Sequence, residues 1–169
     1  TIATFNSTTS VEVAATVDTT VTNADVIFGT NDTAAFVSAE AAVSANGTLY
    51  VGGKDKTYLI GSFTLGTGKN LKGTGGSIVF RQAGALGVSL SGYNTVSDMT
   101  FDTRVFVDGI PSGDVLLLKG ENITISNNTF EGGNGEGYTY KKIGRVIGFS
   151  NTDNNDYAKI LNNTFKNIH

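Results

Sequence analysis

Three segments decide the fold of this chain: NTVSDMTFD at residues 94–102, NITISNNTFE at 122–131 and AKILNNTFK at 158–166. Aligned on their phenylalanines, they also agree in an aliphatic residue, an Asp or Asn, a Met or Asn, and a Thr. The matched sets are Val96/Ile125/Ile160, Asp98/Asn127/Asn162, Met99/Asn128/Asn163, Thr100/Thr129/Thr164 and Phe101/Phe130/Phe165. The phenylalanines are 29 and 35 residues apart (101 to 130, and 130 to 165). A repeat period of roughly 20–50 residues is typical of solenoid proteins.

A solenoid of short strands places equivalent residues about 4.8 Å above one another. We therefore expect one internal column of phenylalanines and a second column of aliphatic residues. Asn at a sharp bend tolerates the left-handed backbone conformation, and stacked Asn side chains can hydrogen-bond from coil to coil as a ladder. The unequal intervals predict that each coil keeps its strands and varies a loop.

Residues 31–47, NDTAAFVSAEAAVSANG, carry the one strong helical pattern of the sequence. Asn31 or Asp32 can accept hydrogen bonds from the free amides of the first turn. Phe36, Ala39 and Val43 form a narrow apolar stripe along one side. Asn46-Gly47 is a typical helix end in the left-handed conformation. The sequence predicts a helix that lies against an apolar surface.

Composition excludes several classes of function. The 169 residues are enough for one domain, with 16% charged residues and 22 glycines that favour short strands and tight turns. A net charge of −3 without a Lys/Arg cluster argues against nucleic-acid binding. With no cysteine, and His169 as the single histidine, the chain offers neither a His-based triad nor a His/Cys metal site. We expect no metal, no cofactor and no membrane insertion.

Residues 1–24 differ from the remainder because they alternate Val with Thr and Ser in short stretches. We interpret them as a lead-in or neck segment with one or two strands. Residues 25–169 are expected to hold the helix and the first coils. The chain starts without a signal peptide and stops just after the third matched Phe. We therefore expect a truncated piece of a longer solenoid, since an open coil leaves unpaired strand edges.

The stretch from NDTAAFVSAEAAVSANG through TYLIGSFTL to NLKGTG (31–75) resembles the opening of the pectate-lyase-like superfamily, and especially its phage tailspikes. The resemblance covers residues 25–75, and it extends over residues 94–168 through the matched coils. The resemblance implies an all-β fold, a right-handed parallel β-helix with an N-terminal capping α-helix. It also implies a homotrimer in the full-length protein. ADVIFGTND at 24–32 departs from the Gly- and Asp-rich run that is usual in the superfamily.

The longest loop between matched segments, EGGNGEGYTYKKIGR at 131–145, holds the candidate site. A glycosidase needs two carboxylates roughly 5–5.5 Å or 6.5–9.5 Å apart, and Glu131 and Glu136 are the candidate catalytic pair. Aromatic and charged side chains suit sugar faces, hydroxyls and uronates, so we expect substrate to bind at Tyr138, Tyr140, Lys141 and Arg145. By resemblance, Tyr140, Lys141 or Arg145 would be the base of a β-eliminating lyase. An ordinary solvated Gly-rich loop remains the alternative.

A second polar cluster, FDTRVFVDGIPSGD at 101–114, contains Asp102, Arg104, Asp108 and Asp114, and we interpret it as a turn with paired ends. Four Asn-x-Thr sequences are interpreted as turn residues and not as glycosylation sites. They begin at Asn46, Asn122, Asn127 and Asn162.

The resemblance favours a phage tailspike that binds and degrades a bacterial surface polysaccharide, either capsule or O-antigen, in the extracellular tail of the virion. One alternative is a secreted bacterial polysaccharide lyase or hydrolase. Another is a β-helical module that binds glycans or serves as a scaffold without catalysis.

Overall fold

A computed structural model of the protein describes residues 2–7, 10–13, 31–53, 56–75, 77–80, 87–102, 114–132, 145–150 and 156–168. These residues form one helix and sixteen strands, so the described chain is β-rich. The elements are β1 (Ile2–Ser7), β2 (Ser10–Val13), α1 (Thr33–Ala42), β3 (Thr48–Gly52), β4 (Thr57–Ile60), β5 (Phe63–Leu65), β6 (Asn70–Thr74), β7 (Ser77–Phe80), β8 (Val88–Leu90), β9 (Thr95–Ser97), β10 (Thr100–Asp102), β11 (Asp114–Leu118), β12 (Thr124–Ser126), β13 (Thr129–Glu131), β14 (Arg145–Phe149), β15 (Lys159–Leu161) and β16 (Thr164–Lys166).

Strands β3 to β16 lie in three parallel sheets that the chain visits in turn. The first sheet is β3-β6-β9-β12-β15, the second is β4-β7-β10-β13-β16, and the third is β5-β8-β11-β14. We call each passage through the sheets a rung; rung 1 is β3–β5, and rung 5 consists of β15 and β16. Inward side chains from all three sheets meet in one hydrophobic cluster. Parallel pairing of strands three elements apart confirms the all-β part of the fold prediction.

The connections between sheets differ in how much their length varies from rung to rung. From rung 2 onward, two residues join the first sheet to the second, and we call this the first corner. The second corner, between the second and third sheets, has 2, 7, 11 and 13 residues in rungs 1 to 4. The third corner leads to the next rung and has 4, 4, 5 and 9 residues. The predicted variation in loop length therefore occurs at two corners. The first corner keeps the same length from rung 2 onward.

The two predicted hydrophobic columns are confirmed. Ile125 pairs in register with Val96 on one side and Ile160 on the other. Phe130 pairs in the same way with Phe101 and Phe165. Successive phenylalanine rings stack with centroids 5.2 Å apart and planes 11° apart. Phe101 and Phe130 have no exposed surface, so this column is at the centre of the core.

The first corner combines left-handed backbone with a buried amide ladder. Asp98, Asn127 and Asn162 have φ of 56°, 57° and 54°. The next residue in two of these corners is a buried or half-buried Asn. The Asn128 side-chain amide donates to the Val96 carbonyl (3.0 Å) and to Asn163 Oδ1 (3.0 Å).

The ladder continues on both sides of Asn128. Its Oδ1 accepts from the Met99 amide at 3.0 Å, and Asn163 Nδ2 donates to the Ile125 carbonyl at 2.8 Å. These bonds satisfy backbone groups that the bend removes from the strand ladder. The predicted Asn ladder is confirmed. The turn interpretation of Asn46, Asn122, Asn127 and Asn162 is also confirmed, because all four have positive φ.

The helix is shorter than predicted. It covers Thr33–Ala42 and ends at Val43, whose extended backbone (φ −74°, ψ 125°) cannot continue it. Asn46 is left-handed, as expected, but lies beyond the helix end. The stripe is confirmed at Phe36, which is buried against the rings of Tyr58 (5.6 Å) and Phe63 (5.5 Å).

Polar groups fix the start of α1 to β4. Asn31 Oδ1 accepts from the Thr33 amide at 3.1 Å, as the capping prediction requires. Asp32 instead pairs with the sheet: its amide donates to the Leu59 carbonyl (2.8 Å), and its Oδ2 accepts from the Leu59 amide (3.1 Å). Thr33 Oγ1 accepts from the Gly61 amide at 2.6 Å. The edge strand β4 is therefore covered by the helix start.

An ion pair fixes the other end of α1. Lys69 Nζ lies 2.9 Å from Glu40 Oε1 and donates to the Glu40 carbonyl at 2.7 Å. Glu40 Oε1 also accepts from the Gly66 amide at 3.0 Å. A cation at the carboxyl end of a helix interacts favourably with its free carbonyls, so Lys69 stabilises this end of α1.

The described part of residues 1–24 holds β1 and β2, which pair antiparallel with each other. The boundary at residue 24 stays a prediction.

Replacing Asn128 by Ala should lower the free energy of unfolding by about 2–4 kcal/mol, because the Met99 amide and Val96 carbonyl lose their partner in a buried site. Denaturant unfolding followed by circular dichroism measures this. The control is Asn127→Gly at the adjacent exposed position, where glycine adopts the left-handed backbone and little change is expected. Equal losses in the two variants would contradict the ladder's role.

Glu40→Gln should destabilise the chain by about 1 kcal/mol at neutral pH, an amount typical of a partly exposed charge-assisted contact. Burial by itself raises the pKa of Glu40, but the hydrogen bond from Lys69, the Gly66 amide and the Lys69 charge together hold that pKa below its ordinary value of 4.5. The contribution is therefore complete above the ordinary value and disappears as the pH falls through the lowered pKa.

Denaturant titrations of parent and variant between neutral and acidic pH test this directly. The two stability curves should converge in acid. A difference that is constant with pH would show that the Glu40 charge contributes nothing.

Candidate functional site

The second corner brings charged residues together at the ends of parallel strands. Asp102, Glu131 and Lys166 are the last residues of β10, β13 and β16, and they pair in register across rungs 3, 4 and 5. On the opposite side of the corner, Asp114 and Arg145 begin β11 and β14 and are also register partners. Carboxyl ends of parallel strands meet at one edge, which is where open parallel sheets commonly bind ligands.

These charged residues differ in how far they are exposed to solvent. Asp102 is 6% exposed and Asp114 is 2% exposed, whereas Glu131 is half-buried and Lys166 is exposed. A buried carboxylate requires compensating partners, and Asp102, Asp114 and Glu131 each take part in a hydrogen-bonding or electrostatic interaction. The corner therefore runs from buried acids in rung 3 to an exposed cation in rung 5.

The register of Asp102 and Glu131 can bring two carboxyl groups to the separation that acid–base chemistry on a glycosidic bond requires. Neighbouring strands are about 4.8 Å apart, so two in-register carboxyl groups can lie close to the roughly 5–5.5 Å separation of a retaining glycosidase. Lys166 follows Glu131 at the next rung. Its ammonium group is suited to neutralising an acidic sugar or a developing negative charge.

The predicted site residues are placed only in part. Glu131 lies at this corner, and Arg145 lies there by its backbone position in β14. Glu136, Tyr138, Tyr140 and Lys141 lie outside the described residues. The pairing of Glu131 with Glu136 therefore stays a prediction.

Asp102 lies at this corner in register with Glu131, although the sequence analysis places it in a turn. The same alignment that matched Phe101, Phe130 and Phe165 also matches the residues that follow them, Asp102, Glu131 and Lys166. The sequence therefore already contains this column of charges. The other charged members of that predicted turn, Arg104 and Asp108, lie outside the described residues.

Neither metal chemistry nor a membrane span is indicated by the residues that the structure describes. Within these ranges, no three or more His, Cys, Asp or Glu side chains are grouped so as to hold a metal ion. No helix in the same ranges has the length and apolar character needed to cross a membrane.

Comparison of the chain with models of protein families, with curated proteins and with solved structures finds no match. The assignment of function therefore depends on the geometry of the chain and on the sequence resemblance.

Proposed function

We propose that this chain forms a right-handed parallel β-helix and belongs to a phage tailspike that binds and degrades a bacterial surface polysaccharide. The reaction is hydrolysis at the second corner, with Asp102 and Glu131 as the carboxylate pair. On this proposal the protein acts outside the cell, in the virion tail, and as a homotrimer.

The repeated passage through three parallel sheets supports the β-helix part of the proposal. The sheets keep the same order through successive rungs, and their inward residues share one core. Crossover connections between parallel strands are right-handed in about 98% of cases, which favours that hand here. The sequence resemblance of residues 31–75 supports the capping role of α1, which contacts β4 and β5.

The in-register pair Asp102 and Glu131 is the observation that carries the catalytic part. It provides two carboxyl groups at one edge, next to the longest and most variable connections. Tyr138 and Tyr140 belong to the connection that follows Glu131, and aromatic rings there suit sugar faces.

A β-eliminating lyase, as in a secreted bacterial enzyme, is the second candidate. It is favoured by the cations at the same corner, Arg145 in register with Asp114 and Lys166 in register with Glu131. A base and charge neutralisation of a uronate would come from these groups or from Tyr140 and Lys141. A module that binds glycan without cleaving it is the third candidate function.

Glu131→Gln and Asp102→Asn should each reduce the release of reducing ends from a susceptible capsule or O-antigen by at least about 100-fold, because each removes one member of the pair. The assay uses a panel of purified bacterial surface polysaccharides. Appearance of ultraviolet absorbance from an unsaturated uronate would show elimination in place of hydrolysis. Glu136→Gln is measured beside them, because it tests the partner predicted from sequence.

The matched control is Asp98→Asn, an acid of the same rung at the first corner, where Asn127 and Asn162 occupy the equivalent position. It should keep full activity, and the loss of the exposed ion pair between Asp98 and Lys72 (3.7 Å) should change the free energy of unfolding by less than about 1 kcal/mol. Unchanged turnover in the Asp102 and Glu131 variants would overturn the catalytic assignment, and no product from any polysaccharide would favour the non-catalytic module.

A further inference from the structure

Rung 1 has one strand whose outer edge is not paired within the described chain. Helix α1 packs over β4 and β5, and Asp32 bonds both the amide and the carbonyl of Leu59 at the edge of β4. Strand β3 pairs with β6 and ends the first sheet, and no strand of the described ranges pairs with its other side. The backbone donors and acceptors on that side are therefore open to a further strand.

Strand β3 has none of the features that usually keep an edge strand from pairing. Proteins protect such edges with charged side chains, with proline or with bulges. The strand TLYVG contains neither a charge nor a proline, and its five residues pair with β6 in unbroken register. Tyr50 at its centre is 63% exposed, so the middle of the strand is accessible. This edge is suited to strand addition, in which main-chain hydrogen bonds hold the partner.

The β1–β2 hairpin is a second element with unpaired edges. Among the described residues its two strands pair only with each other. A two-stranded hairpin is marginally stable in water, and a third strand or a packing partner is needed to stabilise it. Two register shifts, between Ile2 and Thr4 and between Phe5 and Ser7, place the irregularity of this pair in β1. The more regular edge is therefore β2, whose four residues are close to the five of β3.

We propose that β2 of one copy of this chain adds to the outer edge of β3 in a second copy. Each copy then gives one hairpin and receives one, which is a heterologous contact that can close into a ring. Closure leaves neither β2 nor β3 with a free edge. The ring has three members if the homotrimer of the proposed function is correct, but the pairing of these strands does not depend on polysaccharide cleavage.

The fold of the single chain favours a second copy over the chain's own hairpin as the occupant. Within one chain, β2 and β3 belong to separate sheets, so both edges stay open. Residues 14–32 join β2 to α1, and at roughly 3.3 Å per residue they can span about 60 Å. That reach is enough to carry the hairpin to a neighbouring copy. Exchange between copies satisfies both edges without any change in the fold of either chain.

Installed cysteines test the pairing cleanly, because the chain has no cysteine of its own. Tyr50→Cys supplies a thiol on β3, and a tag on this chain distinguishes mixed dimers by size. Single cysteines placed in turn along β2 cover both strand faces and every register, at Ser10, Val11, Glu12 and Val13. Paired strands lie about 4.8 Å apart, which brings facing positions within disulfide range.

Each β2 variant is refolded together with tagged Tyr50→Cys, oxidised and separated on a non-reducing gel. At least one mixture should give a mixed disulfide-linked dimer. The matched control is Tyr157→Cys, which places a thiol at another exposed tyrosine, beside rung 5. The yield with Tyr50→Cys should be at least about tenfold higher than with this control, because strand pairing raises the local concentration of the thiols.

Val11→Pro provides a second measurement, because proline removes a main-chain donor and disrupts β2. Sedimentation velocity should show the parent as an oligomer and Val11→Pro as a monomer. Thermal unfolding of the rungs at low protein concentration should be the same for both, since β2 pairs with no rung of its own chain. The control is Val11→Ala, which keeps the main-chain donor and should sediment as the parent does.

Three results would overturn the proposal. The first is the absence of mixed dimers in all four mixtures, or an equal yield with Tyr157→Cys. The second is a parent chain that sediments as a monomer. The third is a disulfide within one chain when both cysteines are placed on it, at concentrations too low for association, because the hairpin would then cover its own β3. Glu131→Gln should leave the crosslink unchanged, so loss of cleavage and loss of strand exchange are distinguished.

Discussion

The register of the rungs depends on the first corner, where a left-handed residue is followed by a buried amide. The bend at Asn127 turns the chain from the first sheet to the second in two residues. Such a bend leaves backbone groups without strand partners, and Asn128 bonds them while also reaching Asn163 in the next rung. A slip by one residue would break these bonds and turn Phe130 away from the core. The amide ladder and the phenylalanine column therefore enforce the same alignment.

Variation is possible elsewhere because the first corner keeps a length of two residues from rung 2 onward. The second corner lengthens from 2 to 13 residues over four rungs while the strands on either side stay paired. Charged residues at the ends of those strands, such as Asp102 and Glu131, keep fixed positions whatever the connection between them contains. The third corner keeps its left-handed position but changes its residue, from Gly68 to Tyr93 to Asn122. Two of the three corners can therefore change in length or in residue type without disturbing the pairing of the strands.

Much of the fold could be predicted because equivalent positions carry the same residue type in rungs 3 to 5. The strands of rungs 1 and 2 were harder to predict from the sequence. They continue the two hydrophobic columns with Leu49, Leu71 and Ile78, but they have neither the Asn nor the Phe of the later rungs. The end of the helix could not be predicted, because the contact of Glu40 with Lys69 joins residues far apart in sequence.

The candidate site residues were harder to predict from the sequence than the fold. The sequence predicts Glu131 as a candidate, whereas its pairing with Asp102 is visible only in the strand register. The left-handed backbone of Tyr93 and Tyr157 could not be predicted from the sequence, because tyrosine is not a typical turn residue.

Parallel, in-register stacking of the rungs is the claim on which every proposal depends. The most direct test is an NMR measurement of contacts between the rings of selectively labelled phenylalanines. We expect contacts between Phe101 and Phe130 and between Phe130 and Phe165, with none between Phe101 and Phe165. Absence of the two adjacent contacts, or a direct contact between the outer pair, would contradict it.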